Sequence, residues 1–344
     1  MANRGAPASQ RRSRIRRKSD APREKLVQFY DIFNGDADGI CALHQLRLEE
    51  PRSAVLVTGA KREIALVERA DAGSGDELTV LDIAFSTNAR AVLRALERGA
   101  RCRYFDHHHA GAVPQHPNLK TYIDTAPDTC TSLIVDRYLS GRQRIWAVVA
   151  AFGDNLGDAA RRAAQTLKLP PPEVDQLREL GVCINYNAYG ECVDDLHYHP
   201  ADLFGALSRY RQPCEFVEGE PIFEVLKNGY QDDLWRARGV KPDLATEHAT
   251  LYVLPDAAWS RRINGPFGNR LAEEHPARAH AVLVARNGGY LVSVRAPLTR
   301  PGGADELCMK FTTGGGRRGA AGINLLPQED LPRFVDEFQR QFAG

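Results

Sequence analysis

The stretch FYDIFNGDADGICALHQL (Phe29–Leu46) decides the fold. An apolar run is followed at once by Asn34-Gly35-Asp36-Ala37-Asp38-Gly39, and then by apolar residues at helical spacing. Strand, tight turn and helix are the opening unit of an α/β sheet. Two carboxylates two residues apart at the end of a buried strand are costly unless something positive sits between them.

Working outward, the same alternation continues. Residues 26–33, 54–59, 77–82 and 101–106 read as strands, and 39–50, 88–99, 130–139 and 143–153 as helices. Such alternation means a parallel sheet with helices on its faces. Residues 155–245 read mostly as helices. Beyond them, 249–255 and the two halves of 279–297 read as strands, 268–274 and 328–342 as helices, and TTGGGRRGAAGINL (312–325) as a glycine-rich segment. The expected architecture is α/β: a parallel-sheet N-terminal domain, a helical connector and a smaller C-terminal α/β domain. The expected divisions are a tail (1–25), the catalytic core (26–160), its helical remainder and linker (161–247), and a substrate-binding domain (248–344).

The net charge of +1 hides an asymmetry. Residues 1–25 carry nine Arg or Lys and two acids, a net +7, leaving −6 for the remainder. The tail reads as disordered, either holding nucleic acid loosely or simply solvated, with a transit peptide as a third reading. The acidic body speaks against a large duplex-DNA clamp and suits a small anionic substrate. The seven cysteines form no CxxC pair or framework spacing, which reads as reduced thiols and a cytoplasmic protein. No apolar run approaches the ~20 residues of a membrane span, and the N-terminus shows no signal-peptide core.

Acids recur at one topological place. Asp36 and Asp38 follow the first strand, Asp82 ends LTVLD, Asp106 ends CRYFD before His107, His108 and His109, and Asp154 ends WAVVAAFGD. Ligands of open parallel sheets bind at the carboxyl ends of strands. If these ends meet, five carboxylates and several imidazoles share one cleft, and cations must neutralise them. Mixed Asp/His donors suit manganese, magnesium or similar ions.

NGDADG, LD, DHHH and FGDN resemble, in order and spacing, the four motifs of the DHH phosphoesterase superfamily. GGGRRGAAG (314–322), with SVRAP upstream (293–297), resembles the signature of the DHH-associated C-terminal domain. The resemblance covers roughly residues 26–325. It implies metal-dependent hydrolysis at phosphorus with two Mn2+ ions, Mg2+ or Co2+ being alternatives. Asp36 and Asp82 would hold one ion, and Asp38, Asp82, His107 and Asp154 the other, with Asp82 bridging. Asp106 would orient His107, and His108 would donate to the scissile phosphate or leaving group. Gly314, Gly315, Gly316, Arg317 and Arg318 would capture a substrate phosphate, and His109 would be a bystander. Arg295 reads equally as a second phosphate clamp or an exposed strand residue, and Asn269 as a substrate contact or a core cap.

Two departures from the family pattern stand out. Asn34 occupies a place where many members carry His or Asp, and Arg317 replaces the usual His after the glycines. The implied function is hydrolysis of short single-stranded oligonucleotides or dinucleotides to mononucleotides. Alternatives are a RecJ-like single-strand DNA exonuclease and a catalytically lapsed nucleic-acid-binding module. No membrane partner is implied, and the oligomeric state stays open, with a homodimer among the options. Tyr186, Tyr189 and Tyr198 read either as base-stacking aromatics or as packing between helices.

Overall fold

The computed structural model describes Met1, Ala2 and residues 27–343; apart from its first two residues, the basic tail lies outside the described residues. Strands β1 (Phe29–Phe33), β2 (Val55–Val57), β3 (Glu77–Leu81), β4 (Arg101–Asp106) and β5 (Leu119–Ile123) form one sheet. Their order is β2-β1-β3-β4-β5 and every pair is parallel. The chain leaves β1 for β2 on one side and returns to β3 on the other. The crevice outside such a reversal is where open α/β sheets bind ligands.

Strand residues alternate between two buried layers, which is why the sequence shows continuous apolar runs rather than an apolar–polar alternation. Phe33, Leu81 and Phe105 enter a core with helices α1 (Ala37–Glu49), α3 (Thr131–Tyr138) and α4 (Arg144–Gly153). Tyr30, Ile32, Leu78 and Val80 enter another on the opposite face, closed by Val92, Ala95 and Leu96 of α2 (Phe85–Glu97). One acid inside this sheet is already neutralised: buried Asp31 takes two hydrogen bonds, of 2.5 and 2.7 Å, from Arg47 of α1.

Helices α5 (Gly157–Leu167), α6 (Pro171–Ala188), α7 (Pro200–Leu207), α8 (Pro213–Gly219) and α9 (Pro221–Arg238) follow. The last four begin at proline, whose missing N–H costs nothing in a first turn. A second sheet then forms from β6 (Leu244–Ala245), β7 (Ala249–Leu254), β8 (Ala279–Arg286), β9 (Gly289–Arg295), β10 (Gly314–Arg317) and β11 (Ala320–Pro327). Its order is β10-β11-β9-β8-β7-β6, antiparallel except between β7 and β8. Helix α10 (Ala258–Glu274) covers one face, and α11 (Ala304–Cys308) and α12 (Leu331–Phe342) the other. The α12 stripe Phe334, Phe338 and Phe342 repeats every four residues and is fully buried.

One core joins the halves. Tyr186 of α6 and Ala237 of α9 pack with Ile263 and Phe267 of α10 and with Val282 and Val284 of β8. Arg261 clasps Asp195 with hydrogen bonds of 2.8 and 2.7 Å, and Arg262 donates to Asp233 at 2.9 Å. These contacts fix the second sheet against the helices behind the first.

Three local expectations change. Strand β5 was not anticipated: its residues, LKTYI, are half or fully exposed and lack the apolar run of a central strand. Helix α10 begins at Ala258 rather than Gly268 and runs through Pro266. The glycine-rich segment is a β-hairpin, β10 and β11, instead of a loop. No helix among the described residues is long and apolar enough to cross a membrane, and all seven cysteines are free thiols.

Candidate metal centre

The carboxyl ends of β1 to β4 converge beside the N-termini of α1 and α3. Asp36 caps α1: its Oδ1 accepts the Asp38 and Gly39 N–H groups at 3.0 and 3.1 Å. Gly39 is obligatory, since a Cβ there would lie 2.2 Å from the Asn34 carbonyl oxygen. Asp38, the second residue of α1, reaches across to α3, each oxygen accepting one N–H, from Thr131 and Ser132, at 2.7 Å. A helix N-terminus is a natural seat for a carboxylate.

Asp82 follows β3 in the left-handed backbone region, with φ of 59°. That conformation costs roughly 1–2 kcal/mol for a residue with a Cβ, Asp being among the more tolerant. It is held by the Asp82 N–H donating to the Phe105 carbonyl at 3.0 Å. Its Oδ1 accepts from the Thr131 hydroxyl at 3.1 Å and faces His107 Nε2 at 3.3 Å. Burial, compounded by the Asp38 and Asp36 carboxylates, pushes the Asp82 carboxyl well above the usual range. Burial works against ionisation of Asp36 too, but the Lys61 ammonium outweighs it and holds that carboxyl at about 2.

His107 Nδ1 lies 3.0 Å from the Thr129 carbonyl oxygen. Donation there leaves the Nε2 lone pair facing Asp82 and Asp38, at 3.3 and 3.9 Å. This is how metal-ligating imidazoles are oriented. The expected pairing of Asp106 with His107 is corrected: Asp106 holds His108 instead. In the turn after β4, Asp106 Oδ1 meets both the His108 N–H at 3.2 Å and its Nδ1 at 2.7 Å, while Oδ2 accepts the Phe85 N–H. Burial alone would lower the His108 pKa. The Asp106 hydrogen bond and the Asp82 charge overcome it, and the imidazole titrates above its ordinary value. His109 is exposed, its side chain apart from this cluster.

Asp154 follows α4, its Oδ1 3.7 Å from Lys61 Nζ and its Oδ2 3.7 Å from the Arg317 guanidinium. That Oδ2 is buried and accepts no hydrogen bond. Among the described residues, Asp82, His107 and His108 offer donor atoms within 4.8 Å of one another, a set that fits a divalent ion, and the orphaned Asp154 oxygen lies outside that compact set. The position expected for a second ion is furnished differently. Asn34 Oδ1 accepts the Asp36 N–H at 3.2 Å and its Nδ2 donates to the Lys61 carbonyl at 3.3 Å. Lys61 Nζ stands 2.5 Å from Asp36 Oδ2. Lys61 was missed in the sequence. Its only signal was a basic residue in the loop after a strand, the topological place the acids occupy.

A cleft of about 1110 Å³ opens beside Asp154, with Asn155 and Arg161 on one side and Asn269, Arg295 and Arg317 on the other. Arg295 is no exposed strand residue. Its guanidinium donates to Asn269 Oδ1 at 2.5 Å, Ser293 Oγ at 2.8 Å and the Val294 and Gly265 carbonyls, all neutral. Burial, with no carboxylate to oppose it, lowers its pKa. Arg317 and Arg318 point opposite ways, as successive residues at a strand end do. Arg317 packs against the His107 ring, 3.2 Å from the same Nδ1 whose N–H goes to Thr129, so this contact is not a hydrogen bond, whereas exposed Arg318 lines a separate depression with Arg300 and Glu306. Gly314, Gly315 and Gly316 belong to β10, an edge strand paired on one side with Ile323, Gly322 and Ala321, which leaves alternate N–H groups on its other side outside the ladder. Tyr186 is buried against Asp233 and His197, a packing role, while Tyr189 lies half-buried under Lys61.

No family model matches the sequence, and no curated protein matches it. Solved structures match the fold. One is a DHH-domain protein described as belonging to a family of ribosomal proteins, at 14% identity and TM-score 0.62 over 92% of this chain and 86% of that one. Another is exonuclease RecJ bound to manganese, at 16% and 0.56 over 92% and 90%. A third is the pGpG-specific phosphodiesterase PggH from Vibrio cholerae, at 13% and 0.53 over 91% and 98%. The likeness shows that the chain has the fold of the DHH-domain proteins.

Proposed function

We propose that this DHH-fold chain is a divalent-metal-dependent phosphoesterase that hydrolyses short single-stranded oligonucleotides or dinucleotides to mononucleotides. One juxtaposition carries the reading. Carboxylates that a cation would complete lie beside Arg317, 3.7 Å from Asp154, and Arg317 lines the same cleft as Arg295, whose guanidinium has only neutral partners. The ion would be held by Asp38, Asp82, His107 and Asp154, with Mn2+ or Mg2+ as candidates. The matched solved structures described as RecJ bound to manganese and as a pGpG-specific phosphodiesterase support this class of chemistry.

When bound, such an ion polarises a water and a phosphate oxygen. The chain's own groups do the rest. Arg317 and Arg295 bind phosphate oxygens, with Asn269 locking the Arg295 plane. His107 keeps Nε2 free of a proton by donating Nδ1–H to Thr129. His108, protonated beside Asp106, donates to the leaving oxygen. The neighbouring cleft of about 1110 Å³, lined by Asn269, Arg295 and Arg317, offers room beside the centre for the rest of a nucleotide substrate.

The test is a length series of 5′-labelled oligonucleotides with Mn2+ and purified protein. Rapid loss of dinucleotides with persistence of long strands is expected. Preference for long strands would instead favour the RecJ-like reading, and no cleavage with any divalent ion would favour a lapsed binding module.

A further inference from the structure

Lys61 occupies the position at which the family resemblance calls for a second metal ion. Its Nζ lies 2.5 Å from Asp36 Oδ2, 3.4 Å from Asn185 Oδ1 and 3.7 Å from Asp154 Oδ1. The first two are hydrogen bonds and the third a longer ion pair, so the ammonium's three near neighbours are all oxygens. The residue is anchored from both sides of its main chain: its N–H donates to the Ala188 carbonyl at 3.0 Å, and its own carbonyl accepts from Asn34 Nδ2. The Tyr189 ring, centred 5.4 Å from Nζ, supplies an electron-rich face beneath the ammonium.

Asn34 and Lys61 explain each other. An Asp or His at position 34 could offer a second ion a ligand. An amide there donates to the segment carrying Lys61 and accepts from Asp36, so both its ends are engaged. The other oxygen of Asp36 is committed to the start of α1. An ion seated on Asp36 would stand against Nζ, placing a double and a single positive charge within a few ångströms.

We propose that Lys61 replaces one metal ion of the centre, so that the chain binds a single divalent ion and uses the Lys61 ammonium as a built-in second cation. The proposal rests on reading the site as a divalent-metal phosphoesterase. Its class of substrate is unchanged, but the electrostatics are not. One ion, Lys61 and Arg317 together match the four carboxylates Asp36, Asp38, Asp82 and Asp154. On the Asp36 side, a phosphate oxygen meets N–H donors instead of a Lewis acid.

The decisive measurement is manganese stoichiometry, not turnover. The full chain is stripped with chelator, dialysed against Mn2+ and measured for bound metal and by electron paramagnetic resonance. One Mn2+ per chain with an uncoupled six-line spectrum is expected. The Asn34→Asp/Lys61→Ala double variant, checked for folding by circular dichroism, should take up a second ion and show an exchange-coupled pair. Two coupled ions in the unmodified chain would overturn the Lys61 assignment while leaving the phosphoesterase reading intact. A single ion in a folded double variant would also overturn it. No bound manganese at all would remove the metal-centre reading itself, and this proposal with it.

Discussion

The first-sheet centre and the second-sheet edge beside it obey opposite electrostatic rules. At the centre, Asp36, Asp38, Asp82 and Asp154 gather with Lys61 and Arg317 as nearby cations. On the second sheet, half-buried Arg295 donates to neutral partners alone. Elsewhere the molecule behaves differently: Asp31 of the first sheet and Arg47 of α1 neutralise each other face to face. Each of these two places is therefore incomplete in one sign of charge. What completes the first is a cation and what completes the second is an anion, and a phosphate ester with its metal is both.

The largest break in this contrast should come from Asp82→Asn. Asparagine tolerates the left-handed backbone of that site, so folding is expected to survive while turnover falls on the order of 10³-fold or more. Stability should move the other way. The native Asp82 carboxyl titrates above its ordinary value of 3.8, so between that value and its raised native one the folded form keeps a proton that the unfolded form has lost. Raising pH through that window destabilises the metal-free fold. Metal-free Asp82→Asn should then melt higher than the unmodified protein at neutral pH and no differently near pH 3, readable by thermal scans at both pH values.

His108→Asn should reduce kcat by ~10²–10⁴-fold. Asp106→Asn gives the finer test, because the Asp106 contact is what raises the His108 pKa. Losing it should move the alkaline limb of the pH–rate profile to lower pH, since the donor sheds its proton sooner. A profile that loses amplitude without shifting would show that His108 is not the proton donor. Arg317→Ala should raise KM for dinucleotides by about 10-fold with kcat changed far less, as removal of ground-state binding does. The smallest effect belongs to its neighbour. Arg318→Ala should leave both constants within about two-fold, as is usual for a surface position.

Much of the acidic centre was legible before any coordinates, because each of its carboxylates follows an apolar run and parallel strands deliver their ends to one place. Less of the rest was legible, for particular reasons. Whether Asp106 holds His107 or His108 is a question of one residue in a turn, which no periodicity encodes. Lys61 is one of two adjacent basic residues, Lys61-Arg62, in the loop after a three-residue strand, with no motif to mark it. Strand β10 is hidden by its glycines, which are poor strand formers, yet Gly316 at φ 143° lets β10 pass where a Cβ would lie 2.5 Å from Ala321 Cα. Helix α10 is masked by Asn264-Gly265-Pro266, residues that normally end a helix. Arg295 could be seen in the sequence but its neutral surroundings could not, since those come from Asn269, Ser293 and Gly265 on two different elements.

Anomalous diffraction at the manganese edge, from crystals of the full chain soaked in Mn2+, tests the central claim most directly. The account predicts a peak bounded by Asp38, Asp82, His107 and Asp154, within coordination distance of Asp82 and of the Asp154 oxygen that otherwise has no partner. Saturating manganese with no peak there, or with its strongest peak on another face of the molecule, would contradict it.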